Sequence, residues 1–146
     1  KELYKIAGEI KPFDGAVDFL EEMRSKYQVI ILSDTFFNLS YPIFEKLNKP
    51  TVFCHKLLVN DDGIITGYKK CIENHKQLTI RFMNNLNYNT IAVGDSYNDL
   101  RMLSEAKNGI LFKSTEEIIN KNTNHHVCNN YIELRDKIFN IFDQYK

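Results

Sequence analysis

The amino-acid sequence predicts an α/β fold built around a doubly wound parallel sheet. Short apolar runs typical of strands buried in such a sheet occur at residues 29–32, 90–93 and 109–112. Segments with apolar residues at helical spacing lie between them, so strand and helix alternate along the chain. Because parallel strands are joined by crossover helices, this alternation indicates right-handed crossovers around one sheet.

In the first half of the chain, a helical pattern follows Asp14, which is placed to cap it. The β-branched run 29–32 then predicts a strand that is buried on both faces. The next helix is expected to start after Ser40, with Pro42 in its first turn, and residues 51–54 predict a further short strand.

Residues 56–68 alternate apolar and polar side chains around a turn sequence, which predicts a hairpin attached to the sheet. Asn74 then opens a helix. Its inner face is expected to carry Leu78, Phe82, Met83 and Leu86. Ser114 and Glu117 form the pattern of a capping box, and a last amphipathic helix is predicted over about residues 132–145.

The composition favours one globular domain with a small polar or anionic ligand. The chain has 146 residues, of which 43% are apolar, and this is enough for a core of its own. Its 19 basic residues balance 19 acidic ones without a run of like charges, so neither nucleic acid nor an anionic membrane is expected as a partner. No apolar stretch could cross a bilayer and no leader is visible, so a cytoplasmic protein is expected.

The cysteine pattern argues against a disulfide framework. Cys54, Cys71 and Cys128 are odd in number and lack the paired spacing of zinc or redox motifs. We expect them to be free, inert thiols in a reducing cytosol.

Open sheets of this kind bind ligands at the carboxyl ends of their strands, and three places meet that condition. The first is Ser33-Asp34-Thr35, which follows the run 29–32. A serine there can direct its hydroxyl, together with backbone N–H groups, at a phosphoryl oxygen. The alternative is that one of these residues only caps the following helix.

The second place is Lys76, in the first turn of the helix that Asn74 opens. The helix dipole disfavours a cation there, so an anionic partner would explain its position. The alternative is a solvated surface lysine, and the neighbouring His75 is interpreted as a surface residue.

The third place is the segment from Gly94 to Asp99, which follows a buried strand and opens a helix. Glycine permits a sharp turn, and Asp95 offers a hard oxygen ligand at the strand end. Asp99 lies one helical turn later, so both carboxylates could point towards one cation or its waters. The alternative is a helix cap followed by an acid in the first turn, which the dipole favours.

In this order, Ser33, Lys76 and Gly94-Asp95 resemble the second, third and fourth motifs of haloacid dehalogenase-type phosphatases. The stretches 29–36, 54–57, 94–99, 102–106 and 109–112 are similar to the phosphoserine phosphatase branch, above all to its bifunctional phosphoserine phosphatase/homoserine phosphotransferase members. Ser33-Asp34 carries the closer likeness, because ordinary members usually have glycine after that serine. The resemblance implies a Rossmann-like doubly wound core.

The resemblance also implies roles for single residues. Substrate would be bound by Ser33, Asp34, Lys76 and Asn98. In catalysis, the Ser33 hydroxyl would hold the phosphoryl group, and Lys76 would neutralise its oxygens and the attacking carboxylate. Asp95 would bind Mg²⁺, and Asp99 would support the metal site without binding the ion directly.

The sequence departs from the family in the first motif, a strand ending in two aspartates spaced two apart that supplies the nucleophile and the general acid/base. No such pair exists here, since Asp61-Asp62 lies in the hairpin. In the family that strand is central to the sheet and precedes a helical cap. Residues 1–12 would then be the tail of the cap and 13–146 a partial core. We expect this chain alone to be inactive and only marginally folded.

The implied function belongs to a full-length parent. It is the Mg²⁺-dependent hydrolysis of O-phospho-L-serine to L-serine and phosphate through an aspartyl-phosphate, with phosphotransfer to homoserine as a second activity. Two alternatives stay open: another small-phosphomonoester phosphatase of the superfamily, and a non-catalytic phosphate-binding pseudophosphatase. A signalling receiver domain would need an acidic cluster and a phosphorylatable aspartate at early strand ends, and neither is found.

Overall fold

The computed structural model describes residues 2–145 and divides into two compact units, with the boundary between Ile72 and Glu73. The sequence predicted a cap tail over residues 1–12 and a core over residues 13–146. Their outer limits, Lys1 and Lys146, lie outside the described residues, and the division at residue 12 remains a prediction. The elements of the first unit are α1 (Glu2–Glu9), α2 (Ala16–Lys26), β1 (Ile30–Phe36), α3 (Phe37–Lys46), β2 (Thr51–Val59) and β3 (Ile65–Lys69).

The sheet of the first unit has the order β1-β2-β3. β1 pairs with β2 in parallel, and β2 pairs with β3 in antiparallel orientation. The turn between β2 and β3 contains Gly63 at a φ of 79°, a left-handed conformation that glycine adopts without strain. The side chain of Asn60 closes the turn by accepting a hydrogen bond from the Ile64 amide at 2.8 Å. The predicted hairpin is confirmed.

The second unit contains α4 (His75–Asn85), β4 (Ile91–Gly94), a 3-10 turn (Tyr97–Asp99), α5 (Leu100–Glu105), β5 (Asn108–Phe112), α6 (Glu116–Lys121), β6 (His126–Cys128) and α7 (Tyr131–Asp143). Its three strands are parallel, in the order β4-β5-β6. The alternation of strand and helix is as predicted, although the short strand β6 was not predicted from the sequence.

The core of the second unit lies around β5. Ile110 and Leu111 in this central strand are 0% exposed. At Gly109 a Cβ atom would lie 2.6 Å from the backbone oxygen of Leu103, so only glycine permits the observed contact between β5 and α5. The backbones of β5 and α5 are therefore in close contact at Gly109.

Three predicted helix starts are wrong. α2 begins after Gly15, which has a left-handed conformation, and Asp14 does not cap it. α3 begins at Phe37, so Ser40 lies inside the helix rather than before it. Thr115 is the N-cap of α6 without a side-chain hydrogen bond, and the predicted capping box from Ser114 is absent because its hydroxyl has no hydrogen-bond partner.

Burial was also misjudged at several positions. β1 is half-buried and not fully enclosed, and it is an edge strand of this sheet, with β2 as its neighbour. Phe82 in α4 and Leu86 at its C-cap are exposed, whereas His75 is buried. Within residues 2–145, no helix has both the length and the apolar character required to cross a membrane.

Candidate active site

Lys76 and Asp99 form an ion pair at the carboxyl end of β4. The Lys76 Nζ donates a hydrogen bond to Asp99 Oδ1 at 3.0 Å, and the two side chains are only 13% and 11% exposed. Lys76 reaches this position because α4 begins at His75, directly after Asn74 in a left-handed conformation. The anionic partner expected of Lys76 is therefore present in the chain itself.

The second carboxylate oxygen of Asp99 faces the turn that follows β4. Asp99 Oδ2 accepts hydrogen bonds from Ser96 Oγ at 3.1 Å and from the amides of Asp95 and Ser96 at 3.3 and 3.4 Å. The Asp99 amide in turn donates to the Ser96 side chain, so Ser96 and Asp99 form a capping box around the 3-10 turn. The sequence pattern Ser-x-x-Asp could have revealed it, and Ser96 is a site residue that was not predicted.

Asp99 is ionised at neutral pH because its donors outweigh its burial. Burial acts to raise the pKa of Asp99, but the hydrogen bond and charge of Lys76, with the donors at Asp95 and Ser96, bring that pKa below its usual value. The part-buried Lys76 ammonium thus keeps the buried Asp99 carboxylate in its charged form. The Lys76 ammonium has a fixed direction even without a bound ligand.

Gly94 allows Asp99 to pack against the end of β4. A Cβ atom at Gly94 would lie 2.5 Å from Asp99 Cβ and 2.9 Å from its Oδ2. Any larger residue would push the carboxylate away from Lys76 and from the turn amides. The sequence predicted that Gly94 permits a sharp turn. The structure shows that it also makes room for the Asp99 side chain.

Asp95 and Asn98 are exposed in the same turn. The Asp95 carboxylate is a hard oxygen ligand at a strand end, which suits Mg²⁺, an ion that is often held by one or two carboxylates while it keeps several waters. Both oxygens of Asp99 already accept hydrogen bonds, which suits the indirect role implied for it. Within residues 2–145, no three His, Cys, Asp or Glu side chains form a metal-binding group by themselves.

A network between α4 and α5 keeps Lys76 close to Asp99. Arg101 donates to the Asn74 side chain at 2.7 Å, next to the start of α4. Further along, Glu105 accepts hydrogen bonds from Arg81 and from Gln77 at 2.9 Å. The hydrogen bonds from Arg81 and Gln77 lower the pKa of Glu105 to about 2. Arg101 was not predicted, and only the geometry of two packed helices reveals its role.

In the first unit, Ser33, Asp34 and Thr35 form a bulge in β1. The parallel register pairs Leu32 with Phe53 and Phe36 with His55, so three residues of β1 stand opposite one residue of β2. The sequence predicted that the strand ends before this polar segment. In the structure the strand continues through it to Phe36. Bulges often occur beside active sites, where they redirect side chains.

Side-chain hydrogen bonds stabilise this bulge, which comprises residues 33–35. Ser33 Oγ accepts from the Thr35 amide at 3.2 Å, and the hydroxyls of Thr35 and Ser40 are 2.6 Å apart. Asp34 is exposed. Asn38 accepts from the amide of Leu57 at 2.8 Å and so connects α3 to β2. Ser40 and Asn38 were not predicted as supporting residues, because the sequence placed the start of α3 too late.

A family model for haloacid dehalogenase-like hydrolases matches residues 1–107 of the sequence. The chain belongs to this family. The predicted resemblance and the predicted Rossmann-like α/β fold are thereby confirmed. Of the six residues to which the resemblance gave a role, the structure of the second unit brings Lys76, Asp95, Asn98 and Asp99 to one end of β4, whereas Ser33 and Asp34 lie in the first unit.

Curated relatives of the chain include phosphoserine phosphatases. The chain is 38% identical over 134 residues to phosphoserine phosphatase ThrH of Pseudomonas aeruginosa, and the match covers 92% of this chain and 65% of the relative. It is similar to a phosphoserine phosphatase crystal structure in apo form, with a TM-score of 0.71, 27% identity and coverage of 92% of this chain and 69% of that one.

A structure of a phospho-aspartyl intermediate analogue of phosphoserine phosphatase is similar too. Its TM-score is 0.67, its identity 27%, and the match covers 85% of this chain and 61% of that chain. The chain thus spans about two thirds of the length of these relatives. For the Pseudomonas aeruginosa protein the share is 65%. About a third of each relative has no counterpart in the sequence.

Proposed function

We propose that the intact protein is a magnesium-dependent phosphatase that hydrolyses O-phospho-L-serine to L-serine and phosphate. The observation that carries the proposal is the ion pair of Lys76 and Asp99 beside the exposed Asp95, at the end of a parallel strand. Such strand ends are where open α/β sheets bind ligands. The phosphoserine phosphatases among the relatives support this choice of substrate.

Lys76 would stabilise the transferring phosphoryl group electrostatically. Asp99 holds its ammonium in one direction, so little reorganisation is needed when negative charge develops nearby. Asp95 would hold Mg²⁺, which supplies charge neutralisation of the phosphoryl oxygens when bound. Contacts of Ser33, Asp34 and Asn98 with substrate are proposed on the strength of the motif resemblance.

The nucleophile would come from a segment outside these 146 residues. The sequence contains no two aspartates spaced two apart, and it spans about two thirds of the length of its relatives. One similar structure is of a phospho-aspartyl intermediate analogue of phosphoserine phosphatase. An aspartate on the missing part would form the aspartyl-phosphate, and water would then release phosphate. By this proposal the chain alone is inactive.

Phosphotransfer to homoserine is proposed as a second activity of the same site. It rests on the resemblance that the pair Ser33-Asp34 carries, and Asp34 is exposed in the bulge. The partners would then be small phosphomonoesters and an amino-acid acceptor in the cytoplasm, with neither nucleic acid nor a membrane involved. The balanced charge of the chain, with 19 basic and 19 acidic residues, supports that choice.

The lack of an Asp-x-Asp pair also favours a second candidate, a pseudophosphatase that binds phosphate without cleaving it. In that case Lys76 would serve in binding alone. An upstream coding segment with an Asp-x-Asp strand would exclude this candidate.

The test is phosphate release from O-phospho-L-serine with Mg²⁺, measured on a version extended at its amino end by the upstream segment. We expect activity in the extended protein and none in residues 1–146 alone. Lys76→Met in the extended protein should lower phosphate release by about a hundredfold, since one preorganised electrostatic contact is lost. Added homoserine should yield phosphohomoserine.

Lys26→Met is the matched control, because Lys26 is an exposed lysine at the end of α2, away from the residues given a role, and its Nζ lies 3.8 Å from the Glu22 carboxylate. It should leave phosphate release unchanged. A well-folded extended protein that binds phosphate but releases none from phosphoserine would support the pseudophosphatase instead.

A further inference from the structure

Cys54 and Cys71 are neighbours in the first unit, although 16 residues separate them in sequence. The Cys71 thiol donates to the backbone oxygen of Cys54 at 3.3 Å. The Cys71 amide donates to Nδ1 of His55, the next residue of β2, at 3.1 Å. Two independent contacts thus hold the segment after β3 beside β2 at the position of Cys54.

The register of the hairpin explains this proximity. β2 and β3 pair Lys56 with Lys69 and Leu57 with Tyr68. Continuing that register by two residues places Cys54 directly opposite Cys71. Residues directly opposite in an antiparallel pair have Cα atoms about 4.5–5.5 Å apart, which lies within the range of about 4.4–6.8 Å that a disulfide requires.

We propose that Cys54 and Cys71 form a redox modification site, at which a small-molecule disulfide such as glutathione disulfide oxidises them to a reversible intramolecular disulfide. One thiolate attacks the reagent, forms a mixed disulfide and releases one glutathione thiolate. The second cysteine then displaces the other glutathione. The two protons that the cysteines lose end on the two released thiols, and the cysteines are oxidised while glutathione disulfide is reduced.

The bridge would act on the bulge at residues 33–35, since Cys54 is the one residue of β2 opposite it. It would tie β2 covalently to the segment after β3 and so limit how far the bulge can shift. Burial, together with the neighbouring Cys71, raises the pKa of the Cys54 thiol. Exchange at this thiol is therefore slower than at an exposed one and needs a sustained oxidant.

The experiment is incubation of the chain with glutathione disulfide, followed by intact mass measurement and non-reducing peptide mapping. We expect the loss of two hydrogen masses, a linked peptide that contains Cys54 and Cys71, and full reversal by reduced thioredoxin or dithiothreitol. Cys128 is 1% exposed and serves as an internal control, since it should stay reduced.

Cys54→Ala and Cys71→Ala should each abolish the loss of mass and leave a glutathione adduct on the remaining thiol, which shows that this thiol is accessible in a folded variant. The proposal is overturned if both cysteines of the unsubstituted chain carry separate glutathione adducts, if the linked peptides contain Cys128 or join two chains, or if neither cysteine reacts. These readouts do not depend on phosphatase activity.

Discussion

The two units of this protein differ in how completely their sheets are enclosed. In the second unit the central strand β5 has parallel neighbours on both edges, and its residues Ile110 and Leu111 are fully buried. In the first unit the central strand β2 alternates exposed and half-buried residues, with Leu57 as its buried apolar side chain. The second unit thus carries Lys76 and Asp99 on a dense core, whereas the first unit carries Ser33 and Asp34 on an open sheet.

The difference follows from strand pairing. Parallel sheets are stable when helices cover both faces, and β4, β5 and β6 alternate with helices along the chain. The hairpin of β2 and β3 has no helix between its strands, and its apolar side chains at Ile64, Ile65 and Tyr68 stay exposed. We conclude that Lys76 and Asp99 have the firmer support, whereas the bulge at residues 33–35 depends on local hydrogen bonds.

Matched isoleucine truncations give the largest expected difference between the units. Ile110→Ala should lower the free energy of unfolding by about 2–5 kcal/mol, because it leaves a cavity in a fully buried strand. Ile31→Ala in the half-buried strand β1 should cost at most about 2 kcal/mol. Urea unfolding of both variants, made in the amino-terminally extended protein, measures these two losses of free energy. Equal losses would contradict the contrast between the two cores.

Matched glycine substitutions give a smaller difference. Gly109→Ala should destabilise the protein by about 1–3 kcal/mol, since its Cβ would lie 2.6 Å from a backbone oxygen that cannot easily move. Gly67→Ala in β3 meets only the Leu58 side chain at an ordinary 3.6 Å and should be within about 1 kcal/mol of the unsubstituted chain. Thermal unfolding of the two variants measures the difference. A larger loss of stability in Gly67→Ala would show that the hairpin is packed more tightly than the contact between β5 and α5.

Acid unfolding tests the network that holds α4 to α5. The folded-state pKa of Glu105 is lowered to about 2 from the usual 4.5, so its contribution is present above pH 4.5 and is lost as the pH falls towards 2. Glu105→Gln should therefore show a smaller loss of stability across that window. Glu22→Gln, at an exposed pair in α2, is the control and should follow the unsubstituted chain. If stability fell equally with pH in the unsubstituted chain, Glu105→Gln and Glu22→Gln, the network around Glu105 would be refuted.

Much of the architecture could be predicted because apolar periodicity reports burial. The strands at 90–93 and 109–112, the hairpin and the start of α4 at Asn74 were found within a residue or two. The family motifs at Lys76 and Gly94-Asp95 were identified by their order after strands and at a helix start. Both kinds of signal are local and need no knowledge of packing.

The errors concern features that depend on packing across the fold. His75 follows an Asn in a left-handed conformation, and only the packing of α4 decides that its ring is buried. The capping box was assigned to Ser114 and Glu117, yet the equivalent pattern at Ser96 and Asp99 is the one that forms. The proximity of Cys54 and Cys71 depends on hairpin register, which the loop sequence alone did not fix.

The most direct test of the account is a carbon-detected NMR titration of the Asp99 carboxyl group, with and without Lys76→Met. We predict an Asp99 pKa below the usual value in the unsubstituted chain and a higher Asp99 pKa in Lys76→Met, because the hydrogen bond and charge of Lys76 are lost while burial remains. Lys26→Met should leave the Asp99 pKa unchanged. An Asp99 carboxyl that titrates at its usual value and does not respond to Lys76→Met would contradict the buried ion pair on which the proposed site rests.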